Sequence, residues 1–376
     1  MRIERVEIVT YALPFTRPYV TSRGTLERRE MVLLRLTTDD GLQGLGEAVP
    51  LSLRGGDPLP RVERGLRRVM RRLRGLDVTD FAGERALAAA IDAFVHVAAG
   101  RRLPAPSRAA IEIALFDLAV CAAGVSLWRL LRAERAGPVR CNATLAAATP
   151  ERLADEAIRW AERGFRTFKL KLGLGDETRQ VEAARAALGA DARIRVDANG
   201  SWSVDGAITV LQGLEPLKLE LAEQPTAGLR EMRRVREAVQ VPLAADESVT
   251  SAKEAARAAR GGACDLVTVK LSKVGGIGPA SAIAAQLPAY LSSALDGPVG
   301  IAAAGHAAQA LYGAERPDPG LAHGLATQLL FADSIASTEC EVRDGHLHLP
   351  EGHGLGVELD PKALERCGLG APIALD

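Results

Sequence analysis

Residues 167–177 read TFKLKLGLGDE: an apolar run broken by two lysines, a glycine-rich turn, then the acidic start of DETRQVEAARAALG, which is patterned as an amphipathic helix. If the run is a strand, Lys169 and Lys171 lie on one face, because side chains two positions apart on a strand point the same way. Adjacent ammonium groups repel, so whatever the chain places opposite that face decides whether the pair is a liability. The same strand–loop–helix rhythm recurs outward from about residue 138. VRCNATL leads into PERLADEAIRWAERG, RIRVDAN into SVDGAITVLQGL, LELAEQP into LREMRRVREAV and VPLAADES into AKEAARAARGG. DLVTVKLSK precedes GPASAIAAQL, and AYLSSAL precedes GPVGIAAAGHAAQAL. Alternating strands and helices predict a parallel sheet with covering helices, and seven or eight units at one period favour a closed barrel over an open sheet. Between KLSKVGGI and YLSS only about a dozen residues remain, which is short for a helix with two loops.

The flanks follow other patterns. RIERVEIVTYAL and EMVLLRLTTDDGLQGLGEAV read as strands, the second a hairpin turning at Asp39, Asp40 and Gly41. Helical stretches are expected near 58–74, 80–99 and 106–132; in the last, apolar residues recur three and four apart, as a buried helix requires. After about 325, EVRDGHLHLP and GLGVELD read as further strand and loop. The expected division is an α+β N-terminal module over 1–130, a barrel over 131–325, and a segment over 326–376 that folds back onto the first module.

Composition narrows the classes of function. At 376 residues the chain suits two domains or one barrel with an addition. A formal net charge of zero removes the electrostatic motive for binding nucleic acid or an anionic membrane, and no apolar run approaches the roughly 20 residues that cross a bilayer. The arginine-rich stretch over 61–74 reads as a solvated helix face. The N-terminus alternates like a strand and lacks the blocks of a signal peptide. Five scattered cysteines without a CxxC pair read as buried thiols, so the expected compartment is the cytoplasm. A homo-oligomer is left open.

Five polar residues close successive strands: Lys171, Asp197, Glu223, Asp246 and Lys270, at separations of 26, 26, 23 and 24 residues. Equal spacing at the fold's own period places them at one end of the strands, the carboxyl-terminal rim where barrel enzymes keep their sites. Any one of these carboxylates reads as a helix cap or surface charge, and any one lysine as a snorkelling edge residue. That reading does not explain acids on three consecutive strands flanked by lysines. Three oxygen donors without histidine or cysteine suit Mg²⁺ or Mn²⁺. With Lys171 on the second strand and Lys270 on the sixth, an anionic substrate at the metal has an ammonium on each wall. Removing a proton next to a carboxylate creates a dianionic enediolate, whose charge a divalent metal and nearby cations stabilise. A neighbouring ammonium lowers a lysine's pKa towards the range in which it acts as a base.

KLK at 169–171, DANGSW at 197–202, EQP at 223–225, ADES at 245–248 and KLSKVGGI at 270–277 together resemble the muconate-lactonizing subgroup of the enolase superfamily. That superfamily is itself the standing example of a lysine or histidine base with metal-stabilised enediolate chemistry. The resemblance covers nearly the whole chain and implies a (β/α)₇β TIM-like barrel under an α+β capping domain completed by the C-terminal segment. It implies Mg²⁺ held by Asp197, Glu223 and Asp246, with Lys171 as base, Lys270 on the opposite face, Lys169 as helper, and Lys273 as a loop residue. The implied substrate is a small-molecule carboxylate. Asn199 in DANGSW, with Ser293 and Asp296 in SSALDGP, are candidate substrate contacts, and Arg23 falls in the subgroup's substrate-covering loop. Within the subgroup, SSALDGPVGIAAA followed by HGLATQLLF looks most like o-succinylbenzoate synthases. The absence of an Asp-x-Asp pair over 321–331 argues against dipeptide epimerases. N-acylamino-acid racemases and muconate cycloisomerases fit the same residues. Outside the family, the glycine turns GLG at 173–175 and GGIG at 275–278 allow a phosphate-binding barrel, and a catalytically silent binding barrel is a third class.

Overall fold

Seven short strands, Asn142–Leu145, Thr167–Lys171, Arg193–Asp197, Leu221–Glu223, Leu243–Ala245, Leu266–Val269 and Ala289–Leu291, pair in parallel in chain order. The computed structural model describes residues 1–21, 24–51, 56–78, 91, 93–95, 103–131, 133, 136–145, 149–172, 176–311 and 320–376. Buried on both faces, these strands carry the near-continuous apolar runs of parallel sheets. The ring shuts through residues 322–324. His323 bridges Cys141 beside the first strand, and Gly324 bridges Ser292 beyond the seventh, both in parallel. Asn142 N donates to His323 O at 2.9 Å and Gly324 N to Leu291 O at 2.8 Å. The result is an eight-stranded barrel.

Helices return the chain on the outside. Pro150–Glu162, Val204–Leu214 and Ala252–Gly261 begin at Thr149, Ser203 and Ser251, whose hydroxyls accept the orphan N–H groups of Arg152, Gly206 and Glu254. After the sixth strand the short connection is filled by a single turn, Leu271–Val274, and a two-turn helix, Ile277–Ala284. Gly275 and Gly276, at φ 99° and 131°, make the reversal between them, a conformation that a residue with a Cβ resists.

The N-terminal module is an antiparallel sheet of Ile3–Thr21, Gly24–Thr38 and Gln43–Ala48 laid on the buried helix Ala105–Ala122. Its first hairpin runs further than the sequence pattern suggests, because a register shift between Pro14 and Tyr19 lets pairing resume beyond two prolines that cannot donate to a ladder. Helix Leu59–Leu73 buries Val62, Leu66, Val69 and Leu73 and turns its arginines outward. The helix expected over 80–99 lies mostly outside the described residues.

The last residues divide between the two modules. Ile373–Leu375 adds an edge strand to the N-terminal sheet beside the first strand. The hairpin Glu341–Arg343 and His346–His348 turns on Asp344 and Gly345, both at positive φ, and pairs with Val139–Arg140 at the barrel entrance instead. All five cysteines are free thiols. Among the described residues no helix is long and apolar enough to cross a membrane.

Candidate active site

Strand register gathers the charged residues. Lys171 pairs with Asp197 and Asp197 with Glu223 as Cα partners at the last position of three adjacent strands. Asp246 and Lys270 follow directly on the ends of the fifth and sixth strands. Asp197, Glu223 and Asp246 are almost wholly buried, at 0%, 1% and 0% exposure, so each must be paired to persist as a charge. Lys169 Nζ lies 2.6 Å from Glu223 Oε2 and 2.8 Å from Asp197 Oδ2. Lys171 Nζ meets that same Asp197 Oδ2 at 2.6 Å and donates to Asn199 Oδ1 at 3.1 Å. The two lysines of the opening stretch therefore share one carboxylate oxygen. Burial alone drives the Lys169 ammonium towards losing its proton, but Asp197 and Glu223 outweigh it and hold its pKa well above the usual lysine value.

On the opposite wall Lys270 is ion-paired with Asp246 Oδ2, and Lys273 donates to Asp246 Oδ1 at 2.7 Å and to the carbonyls of Asp246 and Thr268. Lys273 is not a detached loop residue. The turn Leu271–Val274 carries it back over the strand end, three residues after Lys270, and it faces the cavity. The i, i+3 spacing in KLSK is the signal that finds it.

A cavity of about 350 Å³ opens above these groups, between barrel rim and cap. Lys169, Lys171, Lys270 and Lys273 floor it; Tyr19, Arg29, Pro50 and Leu51 reach over it from the N-terminal module. Arg29, which sequence reasoning passed over, is 6% exposed and donates to the carbonyls of Pro50 and Ala294, joining cap to barrel at the cavity edge. Asn199, at φ 49°, lines the cavity and links Lys171 to Glu247, to which its Nδ2 donates at 3.0 Å. Ser293 also lines it. Asp296 sits behind the wall, where its carboxylate accepts from Ala294 N at 2.6 Å and Ser272 Oγ at 3.4 Å and shapes the loop. Arg23 and the 173–175 turn lie outside the described residues. At 275–278 the anion position a phosphate would take is filled by Glu112, which accepts from Ile277 N and, at 3.1 Å, from Gly278 N. That corrects the phosphate-site expectation for this turn.

The donor set suits a hard divalent cation. Glu223 Oε1 is buried and accepts no hydrogen bond among the described residues, an orphan that an oxygen-seeking cation would satisfy. The three acids are interleaved with ammonium groups rather than drawn to one point, and no described trio of His, Cys, Asp or Glu forms a ready cage.

The comparisons agree with this geometry. Residues 4–132 match the mandelate racemase / muconate lactonizing enzyme N-terminal domain, and residues 152–363 the enolase C-terminal domain-like family. The chain is 31% identical to the L-Ala-D/L-Glu epimerase of Bacillus subtilis, over 81% of this chain and 84% of that one. It is 31% identical to muconate cycloisomerase 1 of Rhodococcus opacus, over 97% and 98%. The structure of an N-succinyl Arg/Lys racemase from Bacillus cereus superposes over the full length of both chains with a TM-score of 0.89 at 25% identity. The chain belongs to the enolase superfamily, joining a mandelate racemase / muconate lactonizing enzyme N-terminal domain to an enolase-like barrel.

Proposed function

We propose that this enzyme removes the α-proton of a small dicarboxylate, with Lys171 as base and Asp197, Glu223 and Asp246 as the ligands of Mg²⁺. The observation that carries the proposal is the placement of Lys171 and Lys270 on opposite walls of one cavity, each paired to a different member of the acid triad. Members of this superfamily generally use Mg²⁺, which when bound supplies Lewis-acid stabilisation of the charge that develops on the substrate carboxylate. The chain's own groups do the rest. Lys171 takes the α-proton, and Lys169, Lys270 and Lys273 keep the floor cationic as negative charge grows.

Charge selects among substrates. The described cavity lining carries the cationic side chains of Arg29, Lys169, Lys171, Lys270 and Lys273 and the acids Asp57 and Glu247. With Asp197, Glu223 and Asp246 paired to the lysines from beneath, these charges balance, and the two charges of a bound Mg²⁺ would leave the site cationic. Residues 321–331 contain no acid to receive an ammonium group. Both features favour a substrate with two carboxylates over a zwitterionic dipeptide. We take o-succinylbenzoate-type dehydration as the first reading, in which Lys171 returns the abstracted proton to the leaving hydroxyl and water departs. Lys270 stays protonated against the ring as a cation–π partner. A second reading, racemisation of an N-succinylamino acid, is favoured by the lysine on each wall and by the likeness to the N-succinyl Arg/Lys racemase of Bacillus cereus.

The test is an assay of the purified protein, with and without EDTA, against the o-succinylbenzoate precursor, N-succinylamino acids, cis,cis-muconate and dipeptides. Activity on a dicarboxylate that EDTA abolishes and Mg²⁺ restores is expected. Metal-independent turnover, or turnover of dipeptides alone, would sink the proposal.

A further inference from the structure

Glu223 is held by more than Lys169. Tyr290, on the seventh strand and fully buried, donates its hydroxyl to Glu223 Oε2 at 2.6 Å. Thr268, on the sixth strand, donates in turn to the Tyr290 oxygen at 2.8 Å. The Arg195 guanidinium lies 4.7 Å from the centre of the Tyr290 ring and is tied to Glu220 and, at 2.7 Å, to the carbonyl of Ala322. A phenol rooted on one wall of the barrel thus reaches across the interior to a carboxylate on another, with its ring pinned by a third.

The direction of these bonds matters. A phenol has one proton to give, and the hydroxyl of Thr268 engages a lone pair of its oxygen, so the phenol proton is directed to Glu223. Glu223 Oε2 then receives two strong donors, Tyr290 and Lys169, while Oε1 receives none among the described residues. Rotation of the carboxylate would exchange the two oxygens, and Tyr290 opposes it because its own position is set from two sides.

We propose that Tyr290 is a positioning residue: its hydrogen bond orients the Glu223 carboxylate so that Oε1 alone is presented to the divalent cation. This inference rests on the metal-dependent reading above. Partners that orient ligating carboxylates typically set metal affinity by 10- to 100-fold. Tyr290→Phe keeps the ring and its contact with Arg195 and removes only the oxygen. Thr268→Val leaves the Tyr290–Glu223 bond in place but releases the hydroxyl from one of its two constraints.

The test is a titration of the full-length protein with Mn²⁺, free Mn²⁺ being read by electron paramagnetic resonance, for the wild type and both variants. Tyr290→Phe is expected to raise the Mn²⁺ Kd about 10-fold, and Thr268→Val by less, with the KM for the carboxylate at saturating Mn²⁺ little changed. A Tyr290→Phe protein that unfolds at lower urea yet binds Mn²⁺ like the wild type would show mere barrel filling and overturn the inference. If Tyr290→Phe does not fold, unchanged Mn²⁺ affinity in Thr268→Val overturns it as well. A wild-type protein that binds no Mn²⁺ defeats the metal reading beneath it, so the two failures are distinguishable.

Discussion

At the residue scale, the two lysines of the second strand are reconciled by a single atom. Lys169 and Lys171 both approach Asp197 Oδ2, at 2.8 and 2.6 Å, so a carboxylate on the next strand compensates a pair that would otherwise repel. Their environments then divide the labour: both line the cavity, but Lys169 is held by two acids at 5% side-chain exposure, whereas Lys171 is held by one and is 15% exposed. Lys171→Ala is expected to lower α-proton exchange in deuterated buffer by roughly 10²–10⁴-fold, the usual worth of a positioned base, as followed by proton NMR. Unchanged exchange would remove Lys171 from that role. Lys270→Ala separates the two chemistries: a one-base dehydration slows but survives, whereas a two-base racemisation stops while one enantiomer still exchanges. The strand-end acids and lysines were legible in the sequence because their spacing equals the period of the fold. Lys273 reads in the sequence as a loop residue, because the i, i+3 spacing in KLSK places it beside Lys270 only if the residues after the strand form a helical turn; Tyr290 is missed because a tyrosine in an apolar strand reads as core.

At the scale of elements, close approach and buried charge set the seams. A Cβ at Gly46 would collide with the carbonyl of Ala110, and one at Gly44 with that of Ala114, so the third strand lies on helix Ala105–Ala122 with backbone nearly touching backbone. Gly46→Ala is expected to cost roughly 1–3 kcal/mol of stability through overpacking, read as a lower urea midpoint. The same strand carries, next to its last residue, Glu47, which accepts from Tyr11 Oη at 2.8 Å and from Gly297 N at 2.7 Å, where helix Pro298–Ala310 begins. Burial, aided by Asp296, pushes the Glu47 carboxyl up to about 7. The native state then holds this proton more tightly than the unfolded chain, so its contribution falls as pH rises from 4.5 to about 7. Asp117, pushed up to about 6 by burial, acts in the same direction, and His306, pulled down to about 4 by burial, in the opposite one. The difference in Tm between Glu47→Gln and wild type isolates Glu47. It is expected to move in favour of the variant as pH rises through that window, and a difference independent of pH would contradict the assignment. The seven barrel strands could be read from their rhythm, but the eighth could not: residues 322–324 are Ala, His and Gly, which no strand pattern marks, and only the resemblance placed a strand there.

At the scale of the whole molecule, helix Ala105–Ala122 is the joint. Its Asp117 accepts from Leu45 N of the cap sheet at 2.8 Å and from Leu355 N of the C-terminal segment at 2.7 Å. One turn earlier, Glu112 reaches into the barrel and satisfies the first N–H groups of Ile277–Ala284, the short helix that follows Lys270. Cap, barrel and tail are thereby tied through buried acceptors on one element, and the cavity lies between the parts they join. Calorimetry of the wild type is therefore expected to show one unfolding transition; two separated transitions would mean that the joint does not couple cap to barrel. Glu112→Ala strips the acceptor from the buried Ile277 N–H, at about 1–3 kcal/mol for a buried group left unpaired, and from the more exposed Gly278 N–H, which water can satisfy. It is expected to lower Tm, and to impair turnover beyond the loss of folded protein, because the helix it releases begins directly after the turn that carries Lys273. Glu112→Gln keeps one acceptor oxygen and is expected to fall between the two. A Glu112→Ala protein with wild-type turnover per folded molecule would confine the joint to stability and leave the lysine wall independent of it.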